Sequence, residues 1–208
     1  MKNFTTIILV ISFFSICDAQ EDNYDINGFS AGIVPSALLN VWTGFQGEIN
    51  YGFADHYEVS INAGFLYGKR RNNSYDGYRI RPSLKYYFLN DLENFRFYLE
   101  AGYTYRVTNE KFLASYNMFQ GAFRQELINN RKREIEGLFA MFGSRSTVKD
   151  TRVYIDYGIG IGFGSITVVN DQIDNAEPIN DFNFFGNNED GTLPFPIFML
   201  HLVFGYDF

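Results

Sequence analysis

Acid–base, nucleophilic or metal chemistry in this chain would have to be built from very few residues. There are two histidines, His56 and His201, and one cysteine, Cys17. Hydrolysis by a protein nucleophile needs a base and an orienting group within hydrogen-bond reach. His56 follows Asp55 in a segment that reads as a tight turn, and His201 lies in the middle of a strand-like segment near the end of the chain. No serine accompanies either at a recognisable spacing. Two histidines so far apart in sequence also make no metal motif. The expectation is no catalytic residue, no metal ligand and no cofactor.

Carboxylates are more plentiful. Residues 170–195 hold Asp171, Asp174, Glu177, Asp181, Glu189 and Asp190 with no lysine or arginine, which is −6 of the chain's net −7. Such groups are hard oxygen ligands, but their spacing fits no cation-binding loop. The simpler expectation is a solvated loop that pairs with the basic Lys69-Arg70-Arg71 turn. Phe182, Phe184, Phe185, Pro194 and Phe195 are unusual for a free loop and point to one that folds over something or meets a partner.

The elements that position these residues follow from composition and period. The 208 residues are 46% hydrophobic and 19% aromatic, with 23 Phe, 15 Tyr and 19 Gly. That is too apolar for a disordered chain, and a net charge of −7 gives no basic face for nucleic acid. Residues 1–19 read as a signal peptide: Lys2, an apolar run from Ile7 to Ile16, and Cys17-Asp18-Ala19 as a small-x-small cleavage site. Cys17 has a second reading, as a lipidated first residue, but Ile16 stands where such signals carry a small residue. Residues 20–208 form the domain to be explained.

No segment of that domain holds 18 consecutive apolar residues, so transmembrane helices are not expected. Instead, apolar residues fall on alternate positions in segments of about ten residues, the period of strands. The apolar side of 57–67 is Tyr57, Val59, Ile61, Ala63, Phe65 and Tyr67; that of 95–107 runs from Phe95 through Leu99 and Ala101 to Tyr105 and Val107. In 151–168 an apolar side alternates with Gly158, Gly160, Gly162 and Gly164, as where backbones crowd inside a narrow barrel. Aromatics collect at the ends of these apolar sides and aliphatics at their centres, the order a bilayer imposes through its two headgroup levels.

Eight strands are expected, at 29–39, 44–54, 56–67, 78–89, 95–107, 134–143, 151–169 and 196–208, with Pro35 interrupting the first. Short turns at 55–56, 90–94 and 144–150 alternate with longer connections at 68–77, 108–133 and 170–195. In 108–133, Phe112, Tyr116, Phe119, Phe123 and Leu127 are spaced by four, three, four and four. A surface helix and a β-hairpin extension fit this stripe equally well. Asn72-Asn73-Ser74 matches a glycosylation sequon, a pattern common by chance.

The polar side of the strands then faces the barrel interior. It carries Gln46, Glu48, Asn50, Glu58, Asn62, Arg79, Arg81, Lys85, Arg96, Glu100, Arg106, Asp156 and His201. Five Lys/Arg against four carboxylates in that set predict a salt-bridged filling rather than an open pore, which would carry a one-signed ring.

The chain closes with Leu200, Leu202, Phe204, Tyr206 and Phe208 on alternate positions. This resembles the terminal signature of bacterial outer-membrane β-barrel proteins. The whole pattern is similar to small eight-stranded barrels of the OmpA/OmpX-like type, nearest in texture to poorly characterised barrel families of Bacteroidetes-type bacteria. The resemblance implies an all-β, transmembrane, antiparallel up-and-down barrel in the cell outer membrane, in contact with lipid and inserted by the barrel-assembly machinery. The expected role is non-enzymatic: structural, surface-interacting or accessory, with a protein partner met through 108–133 and 170–195. The alternatives are a narrow channel for small solutes and a lipid-modifying enzyme.

Overall fold

The computed structural model describes residues 28–35, 43–70, 73–92, 95–119, 121, 123–148, 151–171, 176–178 and 190–208. Its strands are β1 (Gly28–Ile33), β2 (Gly44–Ala54), β3 (Tyr57–Arg70), β4 (Asn73–Leu92), β5 (Phe95–Met118), β6 (Phe123–Thr147), β7 (Val153–Asn170), β8 (Ala176–Pro178) and β9 (Gly191–Asp207). Every pairing is antiparallel between neighbours, and the β4–β5 and β1–β9 pairings close β1–β7 and β9 into an eight-stranded ring. Among the described residues no helix is long and apolar enough to cross a membrane. The all-β up-and-down barrel expected from the alternation is the observed fold.

The ring has its apolar sides outward. Phe65 is 77% exposed and Phe198 80%, with Ile49, Ile61, Leu138, Ile159, Ile161 and Leu200 also facing out, while Lys85 and Asp156 are fully enclosed. Rings flank this surface. Phe45, Phe65 and Tyr78 lie in register toward one end. At the other, Tyr57 meets Tyr86 and Phe97 stacks on Phe142. Beyond Leu138 on β6 the outward residues become Glu136, Glu134 and Lys132, the last two ion-paired at 2.6 Å. The apolar side of β3 runs from Tyr57 to Tyr67, about 30 Å along the strand. At the tilt usual for β-barrel strands, that is about 25 Å of height along the axis of the ring.

The glycine side of β7 has a steric cause. A Cβ on Gly164 would stand 1.9 Å from the Glu136 carbonyl oxygen, and one on Gly162 2.4 Å from that of Leu138. Prolines fall where a strand has a register partner on one side only. Pro194 and Pro196 lie where β9 pairs only with β7 among the described residues, and the β4–β5 register skips Arg81 and Pro82.

The connections differ most from expectation. The stretch 68–77 is not a long loop: β3 and β4 stay paired to Arg70↔Asn73. β6 covers 123–147 rather than 134–143, and the stretch 108–133 is not helical. β5 and β6 pair without a break to Met118↔Phe123 and turn through Phe119 (φ 48°) and Gly121 (φ 89°). A spacing of four is an even step in a strand as well as one helical turn, so Phe112 and Tyr116 share a strand face without any helix. Beyond Lys111, where β4 ends its pairing, β8 takes the free edge of β5 opposite Tyr116–Met118. β1 stops at Ile33, before Pro35. Residues 1–27, including Cys17, and the aromatic and acidic residues at 174 and 181–189 lie outside the described residues, as do 36–42 and the sequon's Asn72.

Candidate functional site

The pleat of each strand sends its even or odd set into the lumen, and the register then decides which charges meet. Glu48 on β2, Glu58 on β3, Lys85 on β4 and Asp156 on β7 converge in the half of the ring nearest the short turns. Lys85 Nζ lies 2.9 Å from Glu48 Oε1, 2.9 Å from Asp156 Oδ2 and 3.5 Å from Glu58 Oε1. Arg145 on β6 grips Glu58 with both nitrogens of its fork, at 2.7 and 2.8 Å, and reaches Asp156 at 3.4 Å. Tyr98 donates its hydroxyl to Asp156, and Tyr87 donates to Glu58 at 3.4 Å. Arg145 also lies 4.3 Å from the Tyr154 ring centroid, and Lys85 5.1 Å from that of Tyr98. Enclosed charges are tolerated only with such partners. The cluster links β2, β3, β4, β6 and β7 across the lumen.

All the charged residues expected inside face inward, but not as one group. Glu48, Glu58, Lys85, Asp156 and His201 form the cluster, with His201 Nε2 at 3.2 Å from Glu48 Oε2. Arg81 and Glu100 are buried just beyond it. Arg79 and Arg106 are half-buried in the half of the lumen toward the long hairpin, and Arg96 lies at the short-turn end opposite Arg145. Arg145 was missed because 144–150 reads as a turn; continuing the alternation Phe139, Met141, Gly143 by one step would have found it. Tyr87, Tyr98 and Tyr154 are fully buried inside, although tyrosine reads as a girdle residue. At the C-terminus Leu200, Phe204, Tyr206 and Phe208 are exposed outward, with Leu202 half-buried on the same side.

The fold also assembles what the sequence could not show: ligand-type atoms of Glu48, Asp156 and His201 within 4.8 Å of one another. The Lys85 ammonium already lies between the two carboxylates, so a metal cation there would have to displace a fixed positive charge. His201 has no hydrogen-bonded hydroxyl among the described residues. His56 sits at the β2–β3 turn, with its ring against Tyr86 at 6.1 Å.

The hairpin of β5 and β6 beyond the ring is the other distinctive feature. On one face Asn129 donates to the Tyr116 hydroxyl, and Arg131 lies 4.3 Å from the Phe112 ring centroid. The opposite face shows Leu113 beside its register partner Ile128, and Phe119 and Phe123 pack at the tip with ring centroids 5.9 Å apart. No protein-family model, curated protein or solved structure matches the chain.

Proposed function

We propose that this chain is a bacterial outer-membrane β-barrel whose lumen is closed and whose role is non-enzymatic, a structural or accessory one exercised through what it displays beyond the hairpin end of the ring. The observation that carries this reading is the inversion of the molecule: apolar side chains outside in a band flanked by rings, charge and glycine enclosed. In water such an outer surface is far larger than the apolar patches monomeric proteins expose. In a bilayer it is the expected surface, and a closed ring leaves no unpaired strand edge in the hydrocarbon.

The Lys85–Arg145 cluster supports a plugged barrel over a conduit. The hairpin supports a partner-binding role, since Leu113, Ile128, Phe119 and Phe123 offer apolar area above the outward charges of β6 that mark the edge of the band. In this reading the alternating C-terminal residues from Leu200 to Phe208 are what the assembly machinery engages.

The test has two arms. Tryptophan placed at Ile161, in protein reconstituted into vesicles, is quenched by lipids brominated in their acyl chains, whereas tryptophan at Val169 is not; equal quenching at both sites overturns the membrane reading. Crosslinked pull-down from native outer membranes, with and without residues 113–128, tests the partner. An unchanged set of crosslinked proteins removes the hairpin from the proposal. Planar-bilayer recordings should show no stable open channel.

A further inference from the structure

We infer that the open edge of β6 at Phe123–Asn129 pairs, antiparallel, with the same edge of a second copy of this chain, joining two barrels hairpin to hairpin. Three observations carry it. First, the edge is free among the described residues. β5 pairs along one side of this segment as far as Met118↔Phe123. On the other side β7 ends its pairing at Arg131↔Asn170, and the last bond is from the Asp171 amide to the Asn130 carbonyl at 3.0 Å. β5 differs, since β8 takes its edge opposite Tyr116–Met118.

Second, the edge has the form of a strand-pairing template. Its seven residues include no proline, glycine or lysine, and their register with β5 has no bulge; those are the devices that ordinarily blunt a sheet edge. Phe123, Arg124, Gln125, Glu126 and Ile128 are exposed. The Asn130 carbonyl points away from β5, and backbone groups alternate between the two sides of a strand. Arg124, Glu126 and Ile128 therefore present their N–H and C=O groups on the open side.

Third, the edge is complementary to itself. With Gln125 opposite Gln125 across a twofold axis, each Arg124 faces a Glu126 and each Phe123 faces a Leu127. Opposite charges and apolar pairs directly across a ladder are stabilising, and the Arg124–Glu126 pairs are the ones whose backbone groups meet. The neighbouring registers that keep this match set Glu126 against Glu126 or Arg124 against Arg124. β6 runs unbroken from Phe123 into the ring, so antiparallel pairing leaves the two barrels at opposite ends of the joined hairpins. On the reading of a membrane barrel that acts through its hairpin, on which this location rests, the two copies sit in facing membranes.

The test uses the full chain with Cys17→Ser in an uncharged maltoside detergent. Gln125→Cys forms a disulfide dimer on mild oxidation, because residues opposite one another at a non-hydrogen-bonded position are about 4.5 Å apart. Asn117→Cys, exposed on β5, does not. In the Gln125→Cys background, Arg124→Glu or Glu126→Arg alone lowers the dimer yield about tenfold. The two single variants mixed together recover it, since each then meets the opposite charge; this separates lost pairing from lost folding. Vesicles carrying Arg124→Glu likewise cluster with vesicles carrying Glu126→Arg, and neither population clusters alone. No disulfide at Gln125, an equal yield at Asn117, or single variants that dimerise like the parent overturns the pairing. So does a disulfide that forms only once 179–189 is replaced by a Gly-Ser linker, which would assign the edge to the chain's own segment. Cross-linking in detergent together with vesicles that never cluster overturns the facing-membrane arrangement. Equal quenching at Ile161 and Val169 in a chain that still cross-links removes the membrane and keeps the pairing.

Discussion

Tyr98 on β5 lies over Gly143, its register partner on β6: a Cβ on that glycine would stand 2.3 Å from the tyrosine ring. The absent side chain lets the ring lean across the neighbouring strand, so that the hydroxyl reaches Asp156 on β7. The device recurs. Tyr154 crosses Gly205 to reach Ser30 and Asn50, and Tyr75 crosses Gly68 to accept the Thr43 amide at 2.7 Å. In each case a strand hydrogen-bonds to an element beyond its neighbour through a glycine.

Gly143→Ala therefore tests the coupling between wall and lumen. The methyl group meets a ring that cannot move without giving up Asp156, and overpacking of this kind costs about 1–3 kcal/mol. Gly47→Ala is the control, since its nearest neighbour atom would be the Gly32 carbonyl oxygen at 3.5 Å, and it should stay within about 0.5 kcal/mol of the parent. Urea midpoints in detergent or vesicles separate the two. A Gly143→Ala midpoint equal to that of Gly47→Ala rejects the coupling.

Lys85 is the cation shared by three carboxylates. Lys85→Met leaves Glu48 and Asp156 enclosed without it and should cost about 3–5 kcal/mol. Adding Asp156→Asn to that variant removes one of the stranded charges. The double variant should then be more stable than the sum of the single effects predicts, with a coupling on the order of 1–3 kcal/mol. Additive unfolding free energies would mean that Lys85 and Asp156 do not act as a pair.

Strand identity and facing were legible because both follow from a period of two: Ile61 and Asn62 cannot share a side of β3, whatever the rest of the chain does. Strand length was not. Beyond Tyr67 on β3 the residues turn polar, and on β5 the polar run Thr108–Lys111 interrupts the alternation that marks a half-buried strand, although the backbone pairing continues. The same fading placed Arg145 in a turn. Which charges meet was out of reach in sequence, because Lys85 lies 37 residues from Glu48 and 71 from Asp156, and only the register of a closed ring brings them together.

The hairpin beyond Lys111 and Arg131 makes none of the ring's closing pairings: β4 ends its contact at Lys111 and β7 at Arg131. Replacing 113–128 by a two-residue Asn-Gly turn, which suits a tight hairpin, should leave the unfolding free energy within about 0.5 kcal/mol of the parent, as for other changes away from packed features. Urea unfolding in vesicles measures it. A variant that fails to form the ring would show that the hairpin is needed for folding, and would weaken its assignment as a display element.

The outward face offers the sharpest separation between a membrane barrel and a soluble one. Ile161 is 68% exposed at the middle of the apolar band, and Val169 is 56% exposed on the same side of β7 beyond its edge. On a water-facing wall, Ile161→Arg and Val169→Arg are both surface changes, each within about 0.5 kcal/mol of the parent. On a lipid-facing wall they diverge: about 2–4 kcal/mol for arginine at the midplane and about 0–1 kcal/mol near the interface. Unfolding in phospholipid vesicles should therefore penalise Ile161→Arg well beyond Val169→Arg. Matching values for the two variants would mean that the exposed rings and aliphatics of this barrel do not face hydrocarbon.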